Sequence, residues 1–367
     1  MSLRVLHCPD VVGGNPPGLA AAERELGLES HTLALRASPY GYRADQVVLH
    51  EGDGAFRREV KRWSLLPRVL RDFDVIHFNA GSTLAPERVA LDTLDPERAS
   101  RMRTRIWAWY AAVFEQLDLR LLAYAGKAIF VTFQGSDARP GYATPAADEV
   151  KRRRIAVFDR YVDGLYALNP DLLRVLPSRA RFVAYASVDP RHWEPAREPA
   201  GTRRPLVLHA PTNREIKGTR FVLDAVARLQ AEGVAFDFQL VEGLTQDELR
   251  ALYPRADLVV DQLVVGWYGG LAVEAMATGR PVVAYLREED LTRIPPAMRA
   301  ELPVVSAEPA TIYDVLRGLL TTRRSELAEL GRRGRAYVER WHDPLRIAAE
   351  IVADYEAAVE RRRGRTL

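Results

Sequence analysis

Residues 266–281, GWYGGLAVEAMATGRP, join a glycine-rich loop to a short apolar helix that carries one carboxylate, Glu274. Gly269 and Gly270 let backbone approach a ligand closely. A helix opening near Leu271 and Ala272 presents amide N–H groups without partners inside the helix, and its positive dipole end suits a phosphate or diphosphate. Glu274 lies a turn further in, where a carboxylate fits sugar hydroxyls better than phosphate. Gly279 and Pro281 then stop the helix. An ordinary glycine turn with an acid complementing the dipole reads as well from these residues alone. A second loop, APTNREIKGT at 210–219, sets Arg214 and Lys217 beside another helix start. Two cations there either splay into solvent or clamp a diphosphate. Only four of the 52 basic residues are lysines, so arginine is the default cation and Lys217 carries extra weight.

The remaining candidates lie in the first half. VVGGNPPG at 11–18 contains Gly13 and Gly14 but lacks the GxGxxG spacing, and no acid ends the second expected strand. A nicotinamide dinucleotide is therefore disfavoured, while close approach of a substrate and a plain turn both stay open. FQGSDARPG at 133–141 ends a buried strand in Gln134, Ser136, Asp137 and Arg139, which would either face a cleft or form a solvated turn. His77 also ends a strand, as a site residue or as a satisfied core histidine. Metalloprotease, serine-hydrolase and Walker patterns are absent. Asp257 and Asp261 share a strand face but lie about 13 Å apart, too far to hold one ion. Neither a metal nor a cofactor is expected.

Short apolar runs alternating with helical stretches must position these groups, the pattern of parallel sheets wrapped by helices. Strands are predicted at 3–8, 31–36, 73–79, 127–133, 163–169 and 181–187, with one long helical stretch over about 97–125. After the proline-rich segment 187–204 the pattern restarts, with strands at 205–210, 236–243, 256–263 and 280–286. The helix after the first of these places Phe221, Val222, Ala225, Val226 and Leu229 on one face. Thr245 and Glu248 have capping-box spacing. The expected architecture is α/β: two doubly wound, Rossmann-like domains over 1–186 and 205–342, facing across a cleft, with a linker at 187–204. The last helix, about 343–367, is a candidate to pack back on the first domain.

At 367 residues, 47% hydrophobic and 28% charged, the chain is long enough for two cores. An excess of three cations does not argue for nucleic acid. The single cysteine, Cys8, and the absence of any long apolar run suit a cytoplasmic protein. The basic end ERRRGRTL reads as a solvated helix end or as a peripheral contact with an anionic membrane or acceptor.

Taken together, these motifs resemble the GT-B glycosyltransferases, specifically the retaining, nucleotide-sugar-dependent group called family 4. The resemblance runs over nearly the whole chain and is strongest over 205–285, where the strand, the loop with Arg and Lys-Gly, the helix and EAMATGRPVV occur in order. Val188, Asp189, Trp193 and Pro195 fit the family's interdomain segment. The resemblance implies that Arg214 and Lys217 bind the donor diphosphate, that Glu274 binds the ribose hydroxyls, and that the backbone from Gly269 through Gly270 and Leu271 to Ala272 contacts phosphate or sugar. Gly13 and Gly14 match the glycine loop beside the transferred sugar. Lys217, Arg214 and Gln134 are the implied catalytic groups, with His77 and Asp137 on the acceptor side. Three departures stand out. Gly266 occupies the place of a family Glu, Gln134 replaces a His, and Arg214 and Lys217 are unusually close. The implied reaction moves a sugar, with retention and without a metal, from a nucleoside-diphosphate sugar, UDP before GDP, to a glycan, lipid-linked or small-molecule acceptor. A non-catalytic nucleotide-binding or partner subunit remains the main alternative, with a UDP-sugar epimerase behind it.

Overall fold

Strands buried on both faces read as continuous apolar runs rather than alternating ones. AIFVTF at Ala128–Phe133 and VIHFN at Val75–Asn79 are buried at every position. The computed structural model describes residues 2–196 and 204–364. Residues 197–203 of the expected linker and 365–367 of the basic end lie outside them. The chain divides into two units, one made of Met1–Ser38, Tyr42–Val183 and Leu345–Leu367, the other of Pro39–Gly41 and Ala184–Pro344.

The first unit is built on β1 (Arg4–Cys8), β2 (Glu29–Ala34), β3 (Gln46–Val47), β4 (Val75–Asn79), β5 (Ala128–Phe133), β6 (Gly164–Ala167) and β7 (Arg181–Phe182), in the order β3-β2-β1-β4-β5-β6-β7. Every pairing is parallel. Its helices are α1 (Asn15–Glu25), α2 (Ala55–Asp72), α3 (Met102–Phe114), α4 (Leu117–Tyr124) and α5 (Pro145–Tyr161), together with the C-terminal helix Pro344–Arg363. Strand order reverses between β1 and β4, so the loops leaving these two strands diverge and open a crevice at their carboxyl ends.

The single helical stretch expected over 97–125 is instead three helices. Arg101 is extended between Pro96–Ser100 and α3, and Gln116 adopts a left-handed φ of 55° between α3 and α4. The strand expected over 181–187 pairs only at Arg181 and Phe182 before the chain leaves the unit at Val183. Strand β3 was not legible in the sequence, because two residues at a sheet edge carry no period.

A buried polar cluster ties the C-terminal helix to this sheet. Tyr355 donates to Glu23 at 3.1 Å, and its hydroxyl lies 2.5 Å from His77 Nδ1. Glu23 is also 2.9 Å from His7 Nε2, and all four residues are buried.

The second unit holds β8 (Leu206–His209), β9 (Asp237–Leu240), β10 (Leu258–Val260), β11 (Val282–Ala284) and β12 (Val305–Ser306), all parallel, in the order β12-β11-β10-β8-β9. Here the reversal lies between β8 and β10. Its helices include α6 (Arg214–Lys217), α7 (Thr219–Ala231), α8 (Gln246–Arg250), α9 (Gly270–Ala277), α10 (Ile312–Leu320) and α11 (Glu326–Trp341). The expected apolar face of α7 buries Val222, Ala225, Val226 and Leu229, with Phe221 half-buried at its margin. Thr245 and Glu248 form the capping box that opens α8. The described part of the proline-rich segment is held within this unit. Arg335 donates to the carbonyls of Pro190, Trp193 and Ala277, and Trp193 is buried against Tyr253.

Candidate functional site

In the second unit the reversal point gathers groups from both halves of the sheet. Strand β8 leads through a polar loop into α6, whose amino end is capped by Asn213 accepting the amides of Glu215 and Ile216 at 3.0 Å. Gly218 then turns the chain with a φ of 70°, a conformation that favours glycine, and sends it into α7. This brings Lys217 back over the end of β10. There Lys217 Nζ donates to Asp261 Oδ1 at 2.5 Å, while Asp261 Oδ2 accepts the Gly269 N–H at 2.6 Å. A Cβ on Gly269 would stand 3.2 Å from Lys217 Nζ and 3.3 Å from Asp261 Oδ2, so only glycine lets the loop come this close without displacing them. Lys217, Asp261 and the start of α9 therefore form one cluster, and the amides of Gly270 and Leu271 open the helix beside it. Asp261 was considered in the sequence only as a metal ligand. An acid at the carboxyl end of a strand at the reversal point was the available signal.

Beneath the cluster, His209 ties the two strands together. Its Nδ1 is 2.8 Å from the Val260 carbonyl and its Nε2 is 2.9 Å from Thr219 Oγ1. Burial lowers its pKa, so the ring is neutral, with Nδ1 donating and Nε2 accepting. The two aromatics of the glycine-rich loop are core anchors. Trp267 and Tyr268 are fully buried and stacked at 4.2 Å, and the Tyr268 hydroxyl meets Tyr337 and His342.

Glu274 is buried inside α9 and already engaged. Gln246 donates to one oxygen at 2.7 Å and Tyr253 to the other at 2.8 Å. Loss of solvent pushes its pKa up to about 7 despite these donors. A carboxylate has lone pairs beyond the two used here, so further hydroxyl donors remain chemically acceptable. Arg214 does not share an acid with Lys217. It is largely exposed and forms a two-pronged pair with Glu242, at 2.8 and 2.5 Å. Of the two outcomes open in the sequence, mutual splaying or a clamp, the side chains adopt separate pairings. Gly266 is sterically closed, since a Cβ there would fall 2.5 Å from Arg287 Cβ. A Glu at this position would require the Arg287 backbone to move.

In the first unit the loops after β1 and β5 converge. Gly13 and Gly14 have φ of 63° and 69°, and a Cβ on Gly13 would sit 3.7 Å from Gln134 Oε1. Gln134 Nε2 is buried with no hydrogen-bond partner, as is Asn79 Oδ1 at the end of β4. Such orphans are uncommon in folded proteins and mark a place where a polar ligand would be welcome. Asp137 turns inward and caps the loop, accepting the amides of Gln134, Gly135 and Ala138. Burial raises its pKa. Arg139 pairs with Asp171 at 2.6 Å, leaving Ser136 as the exposed polar side chain of this loop. His77 is displaced from its expected place on the acceptor side. It lies two residues short of the strand end, fully buried, with Nε2 2.7 Å from Thr132 Oγ1 and Nδ1 against Tyr355. A cavity of about 410 Å³ in this unit lies elsewhere, between β2, the β3 edge and α2, where Arg4, Glu29, Gln46 and Asp72 line it.

No protein-family profile matches the chain. Over 220 residues it is 28% identical to the MMP alpha-(1->4)-mannosyltransferase of Mycolicibacterium hassiacum, a match over 53% of this chain and 51% of the relative, so it aligns with about half of that protein's length. The fold is similar over far more. Sucrose-phosphate synthase from Thermosynechococcus elongatus superposes with a TM-score of 0.61 at 14% identity, over 97% of this chain and 99% of that one. The Anabaena protein HepE, in complex with UDP and glucose, gives 0.62 at 11% identity, over 97% and 100%. The chain has the GT-B fold. Among the described residues no group of three or more His, Cys, Asp or Glu side chains gathers that could hold a metal ion.

Proposed function

We propose that the protein is a glycosyltransferase that uses a nucleoside-diphosphate sugar as donor. The observation that carries this reading is the meeting of Lys217, Asp261 and the glycine-opened start of α9 at the strand reversal of the second unit. The diphosphate lies against the α9 amides and Lys217, and the ribose hydroxyls donate to Glu274. Transfer breaks the bond between the anomeric carbon and the phosphate oxygen, and the electron pair leaves with the nucleoside diphosphate. Lysine and helix amides stabilise that charge electrostatically, without a metal ion. The acceptor oxygen bonds the anomeric carbon on the face the diphosphate has just left, and its proton passes to a phosphate oxygen. This route needs no protein nucleophile and gives retention. In the first unit, the unpaired Gln134 amide is a donor for a sugar hydroxyl beside Gly13.

UDP is the expected nucleotide, with GDP second, and the acceptor is a glycan, a lipid-linked sugar or a small hydroxyl compound. The similarity to a mannosyltransferase and the UDP and glucose held by HepE support the class of donor. Calorimetry with UDP, GDP, ADP and TDP, followed by assay of nucleotide release from the matching sugar donors with and without acceptors, tests the reading. Binding of one nucleotide plus acceptor-dependent release is expected, with Lys217→Ala lowering turnover by about 100-fold or more. Arg214→Ala, at a solvent-exposed pair, should cause a far smaller loss. Near-normal turnover in Lys217→Ala would overturn the proposed role. Nucleotide binding without release from any donor would favour the non-catalytic alternative, to which Gly266 and Gln134 lend some support.

A further inference from the structure

Helix α3 turns a second apolar stripe away from the protein. Met102, Ile106, Trp109 and Val113 are 69, 59, 67 and 54% exposed. At 100° per residue these four fall within about 60° of the helix circumference, and Ala111, the buried residue of the helix, lies on the opposite side. The stripe is about 16 Å long. An aqueous helix of a folded unit normally buries such a stripe and exposes its polar face. This one exposes an apolar stripe in addition to the apolar side that packs on the unit.

The flanks of the stripe are cationic. Arg103 and Arg105 stand on either side of it, both are exposed, and α3 contains no acid. Among the described residues neither arginine enters an ion pair. The neighbouring helix adds to the surface. Trp63 of α2 donates to the Tyr110 hydroxyl at 2.6 Å and meets Phe114 edge-on, which packs the two helices together. One and two turns earlier, α2 exposes Val60 and Phe56, the latter by 83%.

We infer that this face docks on an anionic lipid surface, with the α3 stripe entering the headgroup boundary and Arg103 and Arg105 meeting lipid phosphates. A narrow row of apolar side chains with a tryptophan, bordered by free arginines, matches the interfacial zone of a bilayer, where indole rings sit at headgroup level and cations are attracted by anionic lipid. Among the described residues no helix is long and apolar enough to cross a membrane, so the contact would be one of surface attachment. The inference does not depend on the transferase reading, and it moves the candidate membrane contact from the basic carboxyl end to α3.

Co-sedimentation of the full chain with phosphatidylcholine–phosphatidylglycerol vesicles, and with phosphatidylcholine vesicles alone, tests it. The protein should pellet with the anionic vesicles, less so as salt is raised. Replacing both Ile106→Ser and Trp109→Ser, or both Arg103→Glu and Arg105→Glu, should each weaken binding by about tenfold or more. Circular dichroism should be unchanged, because all four side chains face solvent. Failure of the wild-type chain to bind anionic vesicles, or binding by either variant as strong as that of the wild type, would overturn the proposal. A dimer in sedimentation velocity that the serine variant dissolves would also overturn it, by placing a second copy on this face.

Discussion

The carboxyl ends of the strands in the two units carry different chemistry. In the second unit, the four charged groups named at the crevice each have a partner. Lys217 holds Asp261, Asp261 holds the Gly269 amide, Glu274 is held by Gln246 and Tyr253, and Arg214 is held by Glu242. In the first unit, the corresponding ends of β4 and β5 present uncharged Asn79 and Gln134, each with a buried atom that nothing satisfies. A charge cannot be left unpaired in a site with little solvent, whereas a neutral amide can be, at a cost of about 1–3 kcal/mol. Under the proposed function, the contrast suits a division of labour in which one unit receives an anion and the other neutral hydroxyls.

Breaking the charged side should have the largest effect. Asp261 is fully buried, so Lys217→Met should destabilise the second unit by about 3–5 kcal/mol by leaving that carboxylate unpaired. Adding Asp261→Asn should recover most of the loss, because a neutral amide oxygen can still accept the Gly269 N–H. Urea denaturation of both variants checks this, and equal instability of the single and double variants would contradict the pairing. It also means that a loss of turnover in Lys217→Ala must be read at a temperature where folding is verified.

The buried carboxylate of Glu274 sharpens the comparison through pH. Its folded pKa, about 7, is raised by burial above the ordinary glutamate value of 4.5. The folded state therefore binds the proton more tightly than the unfolded one, and stability falls as pH rises between those values. Glu274→Gln removes the dependence, and the rotating Tyr253 hydroxyl can accept from the new amide. The variant should be more stable than the wild type at pH 8 by about 3 kcal/mol and nearly equal to it at pH 4. Parallel pH–stability curves for the two proteins would disprove the shift. If Glu274 receives ribose hydroxyls, the same variant should bind nucleotide more weakly even where it is more stable.

The neutral side should respond least. Gln134→Leu removes an orphaned donor, so stability should hold or rise by about 1 kcal/mol while turnover with the correct donor falls. A marked loss of melting temperature would show that Gln134 supports the loop rather than a ligand.

The sequence was sufficient for two parallel α/β sheets, since buried strands are continuous apolar runs and the alternation with helices leaves few topologies. Local signals with a fixed offset were equally legible, as Thr245 and Glu248 show by closing their capping box. The glycines at 269 and 270 and the nearby cations could be named as site candidates because their chemistry is unusual where it stands. Other features depended on contacts distant in sequence. His77 became a core residue only because the C-terminal helix brings Tyr355 onto it, 278 positions away. Asp261 became a partner of Lys217 because strand order places β10 beside β8, and nothing local in DLVVD specifies that neighbour. Periodicity records how a segment meets its surroundings on average, whereas the partner of one buried charge is fixed by which strands the folded sheet makes adjacent.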